Sequence, residues 1–213
     1  MNIIEPIIHP IFVTPVMKFN MNREFTKDEL QLLLSDIPTW KDDKIGMVNH
    51  RSNDLYLFDN FAEKLKDIKS FCALQLKIYL EEIEGIDTDT TNLRITQSWI
   101  NKSKPQEYHH AHTHPNSYLS GILYISCLPN DHINLFQWNH YEAIKFPIKN
   151  KTPYNLTEVQ VNVIEGDLIL FPSWLGHATD LNETENKERI SFSFNTFPIG
   201  ELGEYVQINQ LKL

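Results

Sequence analysis

The sequence predicts a mainly β domain of the α+β type, a sandwich or jelly roll with helices packed on one side. Three observations predict it. The periodicity changes from helical to strand-like near residue 90, short apolar runs then recur with turn residues between them, and the longest helical stretch carries a single apolar stripe.

In the first part of the chain, Thr26 followed by Glu29 makes a capping box ahead of Leu30, Leu32, Leu33 and Leu34, and Ile37-Pro38 supplies the stop. From about Asn60 to Glu84, Phe61, Leu65, Ile68, Cys72, Leu76, Tyr79 or Leu80, and Ile83 recur every three or four positions. Gly85 is placed to end that helix, and its stripe belongs against a sheet. After Asp89 six strands are expected: Leu93 to Asn101, Tyr118 to Cys127, Asn134 to Trp138, Glu158 to Ile164, Asp167 to Phe171 and Arg189 to Phe197. The turns Pro129-Asn130-Asp131 and Glu165-Gly166-Asp167 suit antiparallel pairing.

The chain of 213 residues fits one domain, with 1–90 as helical support and 91–200 as the β core. Hydrophobic residues at 41% and charged residues at 22% allow a packed interior and exclude wholesale disorder. No apolar run is long enough to span a bilayer and the N-terminus lacks a basic region and cleavage site, so no membrane association and a cytoplasmic location are expected. Cys72 and Cys127 sit among apolar neighbours and are expected to be unpaired. A net charge of −9 argues against phosphate-driven nucleic-acid binding. A homodimer is left open.

Four of the nine histidines fall in His109-His110-Ala111-His112-Thr113-His114. In extended chain, residues two apart share a face, so His110, His112 and His114 are expected to converge while His109 points away. Imidazole is the commonest protein ligand for a transition metal. A further ligand is expected from His177, which follows the apolar run Leu168-Ile169-Leu170-Phe171. Three ligands on one face of an iron leave the opposite positions for a bidentate co-substrate and O2. In the strand that follows, Arg189, Ser191, Ser193 and Asn195 share a face, and an Arg with a hydroxyl two residues on can bind a carboxylate. Spacing alone leaves open that the histidines are exposed loop residues and that Arg189 pairs with an acid such as Glu188. His9, His50, His132 and His140 have no partners at ligand spacing and read as surface residues.

The sequence resembles the 2-oxoglutarate/Fe(II) oxygenase superfamily, and within it a group of small oxygenases of marine bacteria and phages. The resemblance rests on Trp99-Ile100-Asn101, His112-Thr113-His114-Pro115-Asn116-Ser117, Leu119-Ser120-Gly121-Ile122-Leu123-Tyr124, Gly166 to Trp174 with His177, and Arg189 to Asn195. It implies a double-stranded β-helix (cupin-like jelly roll), Fe(II) held by His112, His114 and His177, and 2-oxoglutarate held at its distal carboxylate by Arg189 with Tyr124 and Ser191 as helpers. It also implies the reaction: oxidative decarboxylation of 2-oxoglutarate to succinate and CO2, coupled through O2 to hydroxylation of a small molecule or peptide side chain. No catalytic residue beyond the metal ligands is implied. The usual superfamily pattern has Asp or Glu where this chain has His114, so His110 stands as the alternative second ligand. Trp99, Asn101, His110, Asn116, Ser120, Trp174 and Asn195 are candidates for the pocket. The competing reading is a cupin-like protein that binds Zn or Ni without oxygenase activity.

Overall fold

Apolar residues alternate along the long strands in a way that buries both faces of one sheet, and the architecture follows from that. The computed structural model describes residues 9, 11–41, 48–136 and 147–213. Its strands are β1 (Met17–Asn20), β2 (Thr39–Trp40), β3 (His50–Ser52), β4 (Thr91–Ser103), β5 (His109–His112), β6 (Leu119–Ser126), β7 (His132–Phe136), β8 (Glu158–Asn162), β9 (Asp167–Pro172), β10 (Gly176–Thr179), β11 (Arg189–Leu202) and β12 (Leu211–Lys212). The helices are α1 (Lys27–Gln31), α2 (Leu57–Asn60) and α3 (Lys66–Ile78). A large sheet has the order β1-β9-β6-β11-β4-β3-β2, with β12 on β11, and a small sheet has the order β5-β10-β7-β8. The result is the expected two-sheet jelly roll with helices on one side.

On β6, Leu119, Leu123 and Ile125 pack toward the helices, while Ile122 and Tyr124 face the small sheet. The same division holds on β9, where Leu168 and Leu170 join the helix-side core and Ile169 and Phe171 the inner one. On β11 the helix side takes Ile190, Phe192 and Phe194, which leaves Arg189, Ser191, Ser193 and Asn195 for the interior between the sheets. The helix stripe predicted from sequence supplies the other half of this core through Leu65, Ile68, Cys72 and Leu76. Each such side chain contributes roughly 1.5–3 kcal/mol on burial. Gly121 is required by this packing: a Cβ there would lie 2.1 Å from Cζ of Phe194. Cys72 and Cys127 are both buried and unpaired.

The capping box is present, with Thr26 Oγ1 accepting from the Glu29 N–H and the Glu29 carboxylate accepting from the Thr26 N–H. The long helix expected from Asn60 to Glu84 is instead split into α2, a run of turns, α3 and a wider π-type turn over Tyr79–Ile83. The split keeps α2 tied to β4, since the Phe58 N–H donates to Ser98 Oγ at 2.9 Å. Gly85, at φ +64°, ends the segment as expected. The first ninety residues are not only helical: β1 pairs with β9 and β3 with β4, so they extend the large sheet at both edges. Strands of two to four residues leave little periodicity to read. The six strands expected after Asp89 correspond to β4, β6, β7, β8, β9 and β11, whereas β5, β10 and β12 were not expected; Gln137 and Trp138 of one expected strand, like His140, lie outside the described residues. No helix among the described residues is long and apolar enough to cross a membrane.

Candidate metal centre

The small sheet brings the histidines together across β5 and β10. His112 and His177 are direct antiparallel partners, and His114 follows β5 with its N–H donating to Ser173 C=O at 2.9 Å. One ring nitrogen from each of His112, His114 and His177 lies within 4.8 Å of the others, and His114 Nε2 stands 3.2 Å from His177 Nε2. Two backbone carbonyls orient the rings: His110 C=O lies 2.8 Å from His112 Nδ1, and Leu175 C=O lies 3.4 Å from His177 Nδ1. Protonation at Nδ1 leaves Nε2 with its lone pair available to a metal.

Burial, and then the neighbouring imidazoles, hold His177 well below the usual histidine range; burial likewise lowers His112, and lowers His114 to about 4. The three rings are therefore neutral at pH 7, the state that ligates. Trp99 and Phe171 wall the site, with ring centroids 5.7 Å from His114 and 4.8 Å from His177. No carboxylate belongs to this ligand group among the described residues.

One expectation about the cluster is overturned. His109 does not point away: its ring lies 4.4 Å from that of His112, and burial keeps it well below the usual histidine range. The cause is a register shift. His177 pairs with His112 but Thr179 pairs with His109, so two residues of β10 span three of β5, and the extra residue moves His109 onto the face of His112. His110, displaced by the same bulge, is exposed and outside the group of close nitrogens, so the alternative second ligand is not the one the geometry gathers.

Two cavities meet at these histidines. The inner one lies between the sheets and is lined by Tyr124, Ser191, Ser193, Ile122 and Ile133 beside the triad. Tyr124 and Ser191 are register partners on the large sheet. The Tyr124 hydroxyl is buried and has no hydrogen-bond partner among the described residues. The outer cavity, of about 230 Å3, is lined by Trp99, Asn101, His110, Asn195 and Arg51 together with the histidines. Asn116 lines a neighbouring groove that shares Asn195 and Gln97 with it. Asn101 donates to Ser193 Oγ at 3.0 Å. Ser120 lines neither cavity; its hydroxyl is buried in a network with Ser173 and Asn195. Trp174 is exposed.

Arg189 is not left free for a ligand. Its Nε lies 2.9 Å from both carboxylate oxygens of Asp131, its Nη2 lies 2.7 Å from Oδ1, and Nη1 donates to Asp180 C=O at 3.1 Å. Both partners are buried. The partner is thus Asp131, from the turn before β7, and not the adjacent Glu188, whose carboxylate lies 3.4 Å from Lys102. His50 and His132 also have partners, Glu107 at 3.0 Å and Asp180 at 2.8 Å. Sequence reasoning missed Asp131, Arg51 and the inward turn of His109. Of the three, only Asp131 carried a signal, as an acid in a turn preceding a buried strand.

Residues 97–195 match the family model described as putative 2OG-Fe(II) oxygenase. Over that stretch, just under half of the chain, the protein is similar to 2OG-Fe(II) oxygenases. The fold of the chain is also that of solved 2-oxoglutarate-dependent enzymes. The carbocyclase SnoK of nogalamycin biosynthesis, described as non-heme and alpha-ketoglutarate-dependent, has TM-score 0.58 at 12% identity, over 86% of this chain and 79% of its own. HygX of Streptomyces hygroscopicus, solved with nickel, 2-oxoglutarate and hygromycin B, has TM-score 0.52 at 14% identity, over 86% and 83%. An oxidoreductase of the 2OG-Fe(II) oxygenase family from Burkholderia pseudomallei has TM-score 0.52 at 11% identity, over 79% and 76%. At such identities the likeness establishes the shared fold. No curated protein matches the chain by sequence.

Proposed function

We propose that the protein holds Fe(II) on Nε2 of His112, His114 and His177, and takes 2-oxoglutarate against Tyr124 and Ser191 by widening the inner cavity, whose volume is only about 20 Å3. The observation that carries this reading is the coincidence of three neutral imidazoles with an orphaned hydroxyl in one cavity. The donor set suits a late first-row metal, and a buried hydroxyl without a partner suits a ligand oxygen. Bound together, iron, 2-oxoglutarate and O2 supply a coupled oxidation: 2-oxoglutarate goes to succinate and CO2, and a C–H bond of a second molecule is hydroxylated.

The protein's own part is placement. His112 and His177 are held at Nδ1 by backbone carbonyls, so their Nε2 lone pairs face the metal site. Trp99, Ile122, Ile133 and Phe171 give the site apolar walls. The Tyr124 hydroxyl and Ser191 would receive the distal carboxylate. Arg189, its charge already paired with Asp131, would add the N–H groups that Asp131 and Asp180 leave unused. Because Arg189 has a partner within the protein, its presence no longer argues by itself for a dicarboxylate; the Tyr124 hydroxyl takes over that argument. The substrate, a small molecule or a peptide side chain, would enter by the outer cavity.

The test is binding of N-oxalylglycine, an inert analogue of 2-oxoglutarate, to protein loaded with Fe(II) or Ni(II), followed by succinate release under Fe(II) and ascorbate. Metal-dependent binding with succinate release supports the oxygenase. Metal binding with neither would favour the cupin-like Zn or Ni protein.

A further inference from the structure

The two cavities that meet at the histidines each contain one buried polar atom without a hydrogen-bond partner among the described residues. In the inner cavity it is the Tyr124 hydroxyl; in the outer one it is Arg51, whose Nε is buried without a hydrogen-bond partner. Among the described residues the Arg51 guanidinium makes no ion pair. This sets Arg51 apart from the other arginine beside the interior, Arg189, which is neutralised by Asp131.

The placement of Arg51 follows from the large sheet. On β3 it is the register partner of Asn101 on β4, so both side chains address the same inner face, where they line the outer cavity with Gln97 and Trp99. A guanidinium is weakly hydrated and presents a planar fork that matches an oxyanion. The remainder of the wall carries no carboxylate; it is made of amides, an indole, an aliphatic side chain and imidazoles. An unpaired cation in a recess of a chain with net charge −9 has one evident counterpart, an anion brought by the ligand.

We propose that Arg51 binds an oxyanion, a carboxylate or phosphate group of the primary substrate, and so makes this an oxygenase of small anionic molecules. The inference rests on the reading of the histidines as the metal centre. The two sources of a carboxylate, substrate and co-substrate, are separated by position: His112 and His114 line both cavities, and the Arg51 and Tyr124 groups lie in different ones. A volume of about 230 Å3 limits the bound part to a small acid or the acidic end of a longer molecule.

The test uses full-length Ni(II)-loaded protein and two titrations by calorimetry, one with sulfate as a simple oxyanion and one with 2-oxoglutarate, on wild type, Arg51→Gln and Arg51→Lys. Sulfate affinity should fall at least about tenfold in Arg51→Gln and less in Arg51→Lys, while 2-oxoglutarate affinity stays within about twofold. Unchanged sulfate affinity in Arg51→Gln would overturn the proposal. So would a tenfold loss of 2-oxoglutarate affinity, since Arg51 would then serve the co-substrate. Failure of 2-oxoglutarate to bind even the wild type would sink the metal-centre reading instead, and the sulfate arm would still decide on Arg51.

Discussion

Two ends of the same interior are built on opposite principles. Around Arg189 every strong charge is answered within the chain: Asp131 takes the guanidinium fork, Asp180 gives its carbonyl to Nη1, and its carboxylate accepts from Asn134 and meets His132. Around the histidine cluster the groups are left unanswered: one ring nitrogen from each of His112, His114 and His177 lies within 4.8 Å of the others, and the Tyr124 hydroxyl and Arg51 Nε have no partner among the described residues. A buried polar group without a partner is costly, so its persistence points to a ligand, whereas a buried group with all its partners can be explained by folding alone. Folding alone accounts for the Arg189–Asp131 pair, although Asn134 Oδ1 at the same end also lacks a partner among the described residues, while the histidine end reads as the candidate site.

The sharpest way to break this contrast is to remove a ligand. His177→Ala should abolish metal retention, since even loss of a group that merely orients a ligand costs about 10–100-fold in affinity. His109→Ala should have an intermediate effect, because its ring packs against His112. Metal analysis of both purified variants checks the order, and equal loss in the two would mean that His109 is itself a ligand.

At the other end, Asp131→Ala should destabilise the fold by about 3–5 kcal/mol, because it strands the Arg189 guanidinium in the interior. Urea unfolding of the metal-free protein measures this. An unchanged midpoint would mean that the pair is not what closes that end.

Tyr124→Phe should separate the two principles in a single residue. Without its ligand the protein should gain up to about 1 kcal/mol, because an unsatisfied hydroxyl is removed, while N-oxalylglycine binding should weaken by about five- to tenfold. A loss of stability would show that the hydroxyl already has a partner.

Above the carboxylate range, where the lowered Glu29 and Glu107 do not yet contribute, a pH titration of the metal-free protein bears chiefly on the histidines. Their folded-state values are lowered, so the unfolded chain binds more protons as pH falls below 6.5, and stability should be complete above pH 6.5 and decline toward pH 4. Thermal melts across that window check it. Metal should flatten the upper part of the decline, because protons compete with it for the same lone pairs. The smallest effect belongs to Trp174→Ala, an exposed change expected to stay within about 0.5 kcal/mol and to leave metal binding intact.

The amino-acid sequence by itself determined the β core, the stripe of α3, the capping box at Thr26 and the histidine cluster with His177 as candidate ligands, because each is carried by local spacing or by a short motif. Period-two alternation was enough to send Phe192 and Phe194 to the helices and Ser191 and Ser193 inward. Only the tertiary structure decided the rest. The bulge that turns His109 inward is a mismatch between β5 and β10, which neither strand contains alone. The pairing of Arg189 with Asp131 joins residues 58 positions apart, and Arg51 reaches the outer cavity because a three-residue strand pairs with β4. Alternation tells which face a side chain takes; whether that face offers a partner depends on strands that meet only when the sheet is assembled.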